Sequence, residues 1–150
     1  MKNIFDPKVT QELIGRINAL TPETVPNWGK MTIDQMLAHC CVAYEMAYTD
    51  KHHKPNALMR FILKTFVKNG VVNEKPYEKN LRTAPQFIIS TRKNFDEEKA
   101  RLIKYLEHTR DLGRDYFEGK ESISFGRMTS IEWNNQFYKH LDHHLTQFGV

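Results

Sequence analysis

Seven histidines are spread over the 150-residue chain, and two of them stand four apart near its C-terminus, in Lys139-His140-Leu141-Asp142-His143-His144-Leu145. On an α-helix, residues four apart project from one face, one turn above the other. His140 and His144 share that face with Trp133, Phe137, Leu141 and Phe148, so the pair points toward a core. His143 projects elsewhere, beside Gln136, Lys139 and Gln147, toward solvent or a rim. A buried polar group left without a partner costs about 1–3 kcal/mol, so two imidazoles on a core face need partners. A divalent transition metal, zinc or nickel, supplies one: neutral imidazole binds it well, and His-x-x-x-His on one helix spans a single ion. The third ligand then comes from another helix, and His39, midway along a largely apolar stretch, is the candidate. Three protein ligands leave positions open for water or substrate, the arrangement of a catalytic rather than a structural site. The competing possibility is that the imidazoles are hydrogen-bonded core residues and hold no metal.

The remaining reactive side chains are less promising. His52 and His53 fall in a polar loop, and His108 lies off the apolar stripe of its helix; all three read as solvated. Cys40 and Cys41 are adjacent, so on a helix they point about 100° apart and cannot both face one site. They read as small buried hydrophobes, and two adjacent cysteines make no disulfide framework. Asp142 is the i+2 neighbour of His140 and points away from the paired face. The chain contains no G-x-S-x-G, P-loop, C-x-x-C or H-E-x-x-H, which sets aside the commonest nucleophilic, phosphate-binding and protease chemistries.

The elements that must carry these side chains are helical. Asp6-Pro7 reads as an N-cap and first helical position, followed by Val9, Leu13, Ile14, Ile17 and Leu20 at helical spacing. After a loop over 21–30, Thr32 and Gln35 form a capping box that opens a second helix running to about Thr49. A third helix is expected from Asn56 to Asn69, with Gly70 at its C′ position. Its Leu58, Phe61, Ile62, Thr65 and Phe66 read as a core face and Arg60, Lys64 and Lys68 as a solvated one; the alternative is a cationic amphipathic helix for a membrane surface or a partner. Residues 71–95 are irregular, with Phe87-Ile88-Ile89 as a short apolar run that could lie across the helices as a lid or a fixed cover. Asp96 is expected to cap a long fourth helix carrying Ala100, Ile103, Leu106, Thr109, Leu112, Tyr116 and Phe117, closed by Gly119. Thr129 and Glu132 box the start of the last helix.

An internal echo supplies a ruler. Trp28-Gly29-Lys30-Met31-Thr32 and Phe125-Gly126-Arg127-Met128-Thr129 each end on an N-cap threonine. His39 lies seven residues past its threonine and His140 eleven past the other. At about 100° per residue these offsets differ by about 40° of azimuth, so the two imidazoles project from nearly the same side of their helices. The simplest architecture is an all-α, single-domain four-helix bundle over residues 1–150, with one short extra helix and an irregular crossover.

Composition bounds the function class. Hydrophobic residues make up 40% of the chain and charged residues 27%, which fits a globular domain and excludes wholesale disorder. The net charge of +4 is scattered without a run of five or six like charges, so neither nucleic acid nor membrane is expected as a partner. No stretch is apolar enough to span a bilayer and the first residues lack a secretory h-region, so a cytoplasmic protein acting on a small molecule is expected.

One His midway along the second helix with His-x-x-x-His near the C-terminus resembles the DinB-like superfamily. Lys139-His140-Leu141-Asp142-His143-His144-Leu145-Thr146-Gln147-Phe148-Gly149 is similar to the ending of a branch known only as a domain of unknown function. Phe125-Gly126 with Thr129 and Trp133, and Arg82-Thr83-Ala84-Pro85-Gln86-Phe87, also look like that branch. The resemblance implies an up-down-down-up four-helix bundle with a divalent metal on His39, His140 and His144. It further implies a possible homodimer and a thiol S-transferase activity using a low-molecular-weight thiol such as bacillithiol, mycothiol or glutathione, the metal holding the thiol as thiolate. A hydrolase using metal-bound water on the same triad, and a non-enzymatic binding module with a vestigial site, are the alternatives.

Overall fold

The computed structural model describes all of residues 1–150 and is mostly helical. Helix α1 (Pro7–Asn18) begins as expected: the Asp6 carboxylate accepts the Lys8 N–H at 2.8 Å, and Pro7 occupies the first turn, where its missing N–H leaves nothing unpaired. Helix α2 (Ile33–Tyr48) opens with the Thr32 N–H donating to Gln35 Oε1 at 3.1 Å. Rather than one apolar stripe, α2 is buried without interruption from Met36 to Glu45, because α5, α6 and the turn at Phe87 all pack on it. Two carboxylates go inside with it. Asp34 accepts the Lys93 N–H at 2.6 Å. Glu45 is held by Arg101, Lys51 and His52, at 2.6, 2.8 and 2.9 Å. His52 is thus a hydrogen-bond partner of Glu45 and not the solvated loop residue that its sequence context suggests.

The segment 57–72 departs most from expectation. Helix α3 (Ala57–Ile62) is capped by Asn56, whose Oδ1 accepts the Met59 N–H at 2.9 Å. It then widens into a π-helical turn, Leu63–Val67, and resumes as α4 (Lys68–Val72). Gly70 is therefore inside helix, not its C′ residue. The Lys139 ammonium explains how the helix runs on: it donates to the carbonyls of Gly70 and Asn73 at 2.9 and 2.7 Å and to Asn73 Oδ1 at 3.0 Å. The expected core face is also overturned. No side chain of this segment is buried, and Leu58, Phe61 and Phe66 are 70%, 63% and 75% exposed. Only Leu63, Val71 and Val72 of the segment pack against the core, and its inner side borders a cavity.

Past an irregular stretch with one 3₁₀ turn, Pro85–Phe87, helix α5 (Phe95–Phe117) is capped by Asn94 and not by Asp96; Asn94 Oδ1 accepts the Glu97 N–H at 3.2 Å. Gly113 adopts φ +71° and breaks the helix before its last turn. The buried set is accordingly Leu102, Leu106, Thr109 and Phe117, while Ala100 and Tyr116 of the expected stripe are exposed. Gly119 leaves the helix with φ +72°, and a two-stranded hairpin with no sequence signal follows, β1 (Glu121–Ser122) on β2 (Gly126–Arg127). Helix α6 (Ser130–Gln147) has the full capping box: Thr129 and Glu132 exchange hydrogen bonds at 2.9 and 3.2 Å. Helices α1, α2, α5 and α6 share one core, centred on Trp133, Tyr44, Phe117 and Phe137, with Tyr44 stacked on Phe137 at 4.7 Å. No helix is long and apolar enough to cross a membrane.

Candidate metal centre

Helices α2 and α6 pack together, and this brings His39 against His140 and His144. The three ring centroids form a nearly equilateral triangle, with sides of 4.5 Å (His39–His144), 4.9 Å (His39–His140) and 4.9 Å (His140–His144). One nitrogen from each ring lies within 4.8 Å of the others, so the group can hold a metal ion.

The hydrogen bonds around the triad assign its tautomers. His39 Nδ1 sits 2.8 Å from the Phe87 carbonyl oxygen. A carbonyl only accepts, so Nδ1 carries the proton and Nε2 presents a lone pair. At His144 the assignment runs through Gln147. The Gln147 amide nitrogen donates to the Trp28 carbonyl at 2.7 Å, which leaves Oε1 facing His144 Nδ1 at 2.8 Å. Nδ1–H of His144 is then the donor, and its Nε2 is also a lone pair. His140 Nε2 stands 2.9 Å from His39 Nε2 and, since the latter is a lone pair, donates its N–H to it. That spacing lies within the roughly 2.9–3.4 Å separating two nitrogens bound at about 2.0–2.1 Å to one ion. Orienting partners on the far ring nitrogen are the usual accompaniment of metal-binding histidines.

Burial keeps the rings in the neutral, metal-competent form. It pushes His144 down to about 3. It pushes His140 well below its ordinary value, with His144 and His39 adding to the effect. His39 is lowered as well, burial outweighing the opposing pull of the Phe87 carbonyl.

The triad lines a cavity of about 1100 Å³. Met59, Leu63, Phe66 and Val67 form one wall and residues 80–87 another. Part of the irregular crossover thus flanks the site, and Phe87 contributes the carbonyl that His39 Nδ1 faces. His143 sits at the rim, between Trp28 and Tyr77 with ring centroids at 5.8 and 5.7 Å. Two glutamines that the helical wheel grouped with His143 belong to the site instead. Gln147 orients His144. Gln136, one turn before His140, lines the cavity with its Oε1 buried and without a hydrogen-bond partner. Their spacings, i+3 from His144 and i−4 from His140, were the available signal. Cys40 and Cys41 are buried free thiols outside the triad, raised by burial, Cys41 to about 12. Asp142 points away and pairs with Arg16 at 2.6 Å. His108 is exposed and packs edge-on against Tyr48.

Residues 6–149 match the family described as protein of unknown function (DUF1569). The chain belongs to the DUF1569 family. No curated protein and no solved structure matches it. In this DUF1569 chain the matched region contains the three histidines, both orienting partners and every residue lining the cavity.

Proposed function

We propose that this DUF1569 protein is a metal-dependent enzyme that transfers a low-molecular-weight thiol, such as bacillithiol or glutathione, to a small electrophile. The observation that carries the proposal is the convergence of two tautomer-assigned imidazole lone pairs, with a third ring beside them, on a large cavity. A satisfied polar core would not need a cavity of about 1100 Å³ in front of it. His39, His140 and His144 hold the ion, zinc or nickel. Phe87 O and Gln147 keep the two outer rings in register. A bound ion supplies a Lewis acid that keeps a coordinated thiol deprotonated near neutral pH. The apolar walls receive the body of the electrophile, while Gln136 offers a hydrogen bond to a polar group of the substrate. The shared core of α1, α2, α5 and α6, with ligands on the second and last of them, supports a DinB-like four-helix bundle. A reducing cytoplasm suits the thiol chemistry.

The test is the metal content of untagged protein beside His140→Ala and His144→Ala. Near-stoichiometric zinc or nickel in the wild type, lost in both variants, is the expected result. Thiol-dependent turnover of an electrophile such as a chloro-dinitroarene should then follow the metal. A folded wild type that neither contains nor takes up metal refutes the proposal. Thiol-independent cleavage of labile esters by the metal-loaded protein marks a hydrolase instead.

A further inference from the structure

From Lys51 to Asn73 the chain carries Lys51, Lys54, Arg60, Lys64 and Lys68 and no aspartate or glutamate. The same stretch holds six large apolar side chains turned to solvent: Leu58, Met59, Phe61, Ile62, Phe66 and Val67. Carboxylates reach it only from other elements, and fewer of them than there are cations. Glu121 serves both Lys54 and Arg60, at 3.3 and 2.8 Å. Glu45 serves Lys51 together with Arg101, and Glu132 takes Lys68. Lys64 is in no ion pair, so the local balance stays positive. An ordinary surface helix turns its polar face outward. This one turns leucine and phenylalanine outward, flanks them with cations and omits acids, which is what an interfacial helix presents to anionic lipid.

We propose that the segment 51–72 docks on an anionic membrane surface, Leu58, Phe61 and Phe66 entering the headgroup–acyl boundary and Lys54, Arg60 and Lys64 facing lipid phosphates. Met59, Phe66 and Val67 also line the cavity, so docking sets the cavity mouth against the lipid and favours apolar or amphiphilic substrates. The docking does not depend on the metal, because neither Leu58 nor Phe61 lines the cavity.

The experiment is co-sedimentation of the full chain with sucrose-loaded vesicles, either phosphatidylcholine alone or with about 30 mol% phosphatidylglycerol. Pelleting with the anionic vesicles is expected, with at least a tenfold loss in about 0.5 M salt, where screening shortens to a few Å. The double variant Leu58→Ser/Phe61→Ser should also lose at least tenfold. Both positions are exposed, so this variant folds, and an unchanged melting curve and metal content confirm that the site is intact. No binding above the phosphatidylcholine blank, or equal binding by the double variant, overturns the proposal. So does a wild-type dimer in sedimentation velocity that the same double substitution dissociates, since a second copy then covers the face.

Discussion

Replacing Gln147 by leucine should weaken metal binding without touching a ligand. The Gln147 amide bridges the Trp28 carbonyl, at 2.7 Å, and His144 Nδ1, at 2.8 Å. Leucine fills the space but takes away both hydrogen bonds. The buried His144 Nδ1–H is left unpaired, at about 1–3 kcal/mol, and the Trp28 oxygen loses its side-chain donor. His144 also loses what holds its Nε2 toward His39 and His140. Loss of such an orienting partner lowers metal affinity by about 10–100-fold, or about 1.4–2.7 kcal/mol. Zinc affinity is read by competition with a chromophoric chelator on untagged protein, beside a thermal melt. Gln147→Glu separates the two bonds. A carboxylate still accepts from His144 but repels the Trp28 carbonyl, so zinc affinity should stay at the wild-type level while the melting temperature falls. A leucine variant that holds zinc within about twofold of wild type refutes the orienting role assigned to Gln147.

Four further substitutions probe the frame around the site. Gly29→Ala places a Cβ 2.5 Å from Gln147 Nε2 at a residue with φ +85°; it should lower zinc affinity as Gln147→Leu does, in the same competition assay. Asn94→Ala should destabilise the fold by about 1 kcal/mol through loss of the α5 cap, whereas Asp96→Ala should change it by less, as read by urea unfolding. Burial works to raise the Glu45 carboxyl, but Lys51, His52 and Arg101 outweigh it and hold its folded value below 4.5. Its contribution is therefore fully present above the unfolded value and lost as pH falls through the lowered folded one. Wild-type stability in urea should drop more steeply below about pH 4.5 than that of Glu45→Gln. Equal slopes would remove Glu45 from the account.

What the sequence made legible was local and periodic. Asp6, Asn56 and Thr129 announce helices because each side-chain oxygen accepts an amide left over at an N-terminus, and Thr32 does so through Gln35, which accepts its N–H. Cap offsets put His39 and His140 on similar sides of their own helices, but their meeting comes from the packing of α2 on α6, which the offsets do not fix. Asn94 could have been chosen over Asp96 only by knowing which oxygen reaches Glu97 N–H, and both residues are good caps. The solvent-facing Leu58 and Phe61 were invisible because an apolar stripe records a preference for burial, not the presence of something to bury it against. The π turn and the Lys139 contacts that carry the helix beyond Gly70 are tertiary, the lysine reaching across 66–69 positions of chain. Glu45 drew no attention because its partners lie 6, 7 and 56 residues away.

The two orienting contacts differ in what mutation can reach. His144 is steered by a side chain, so a single codon change at position 147 can strengthen, weaken or abolish that arm. His39 is steered by the main-chain oxygen of Phe87, which every replacement at that position retains. Natural variation can therefore tune the site through His144 while the His39 arm stays fixed, unless an insertion or deletion shifts the turn Pro85–Phe87. Replacing Phe87 keeps that oxygen but removes a ring packed against His39 and His140, with centroids at 5.3 and 5.6 Å. The heritable signature of the carbonyl contact is a loop length, not an amino acid.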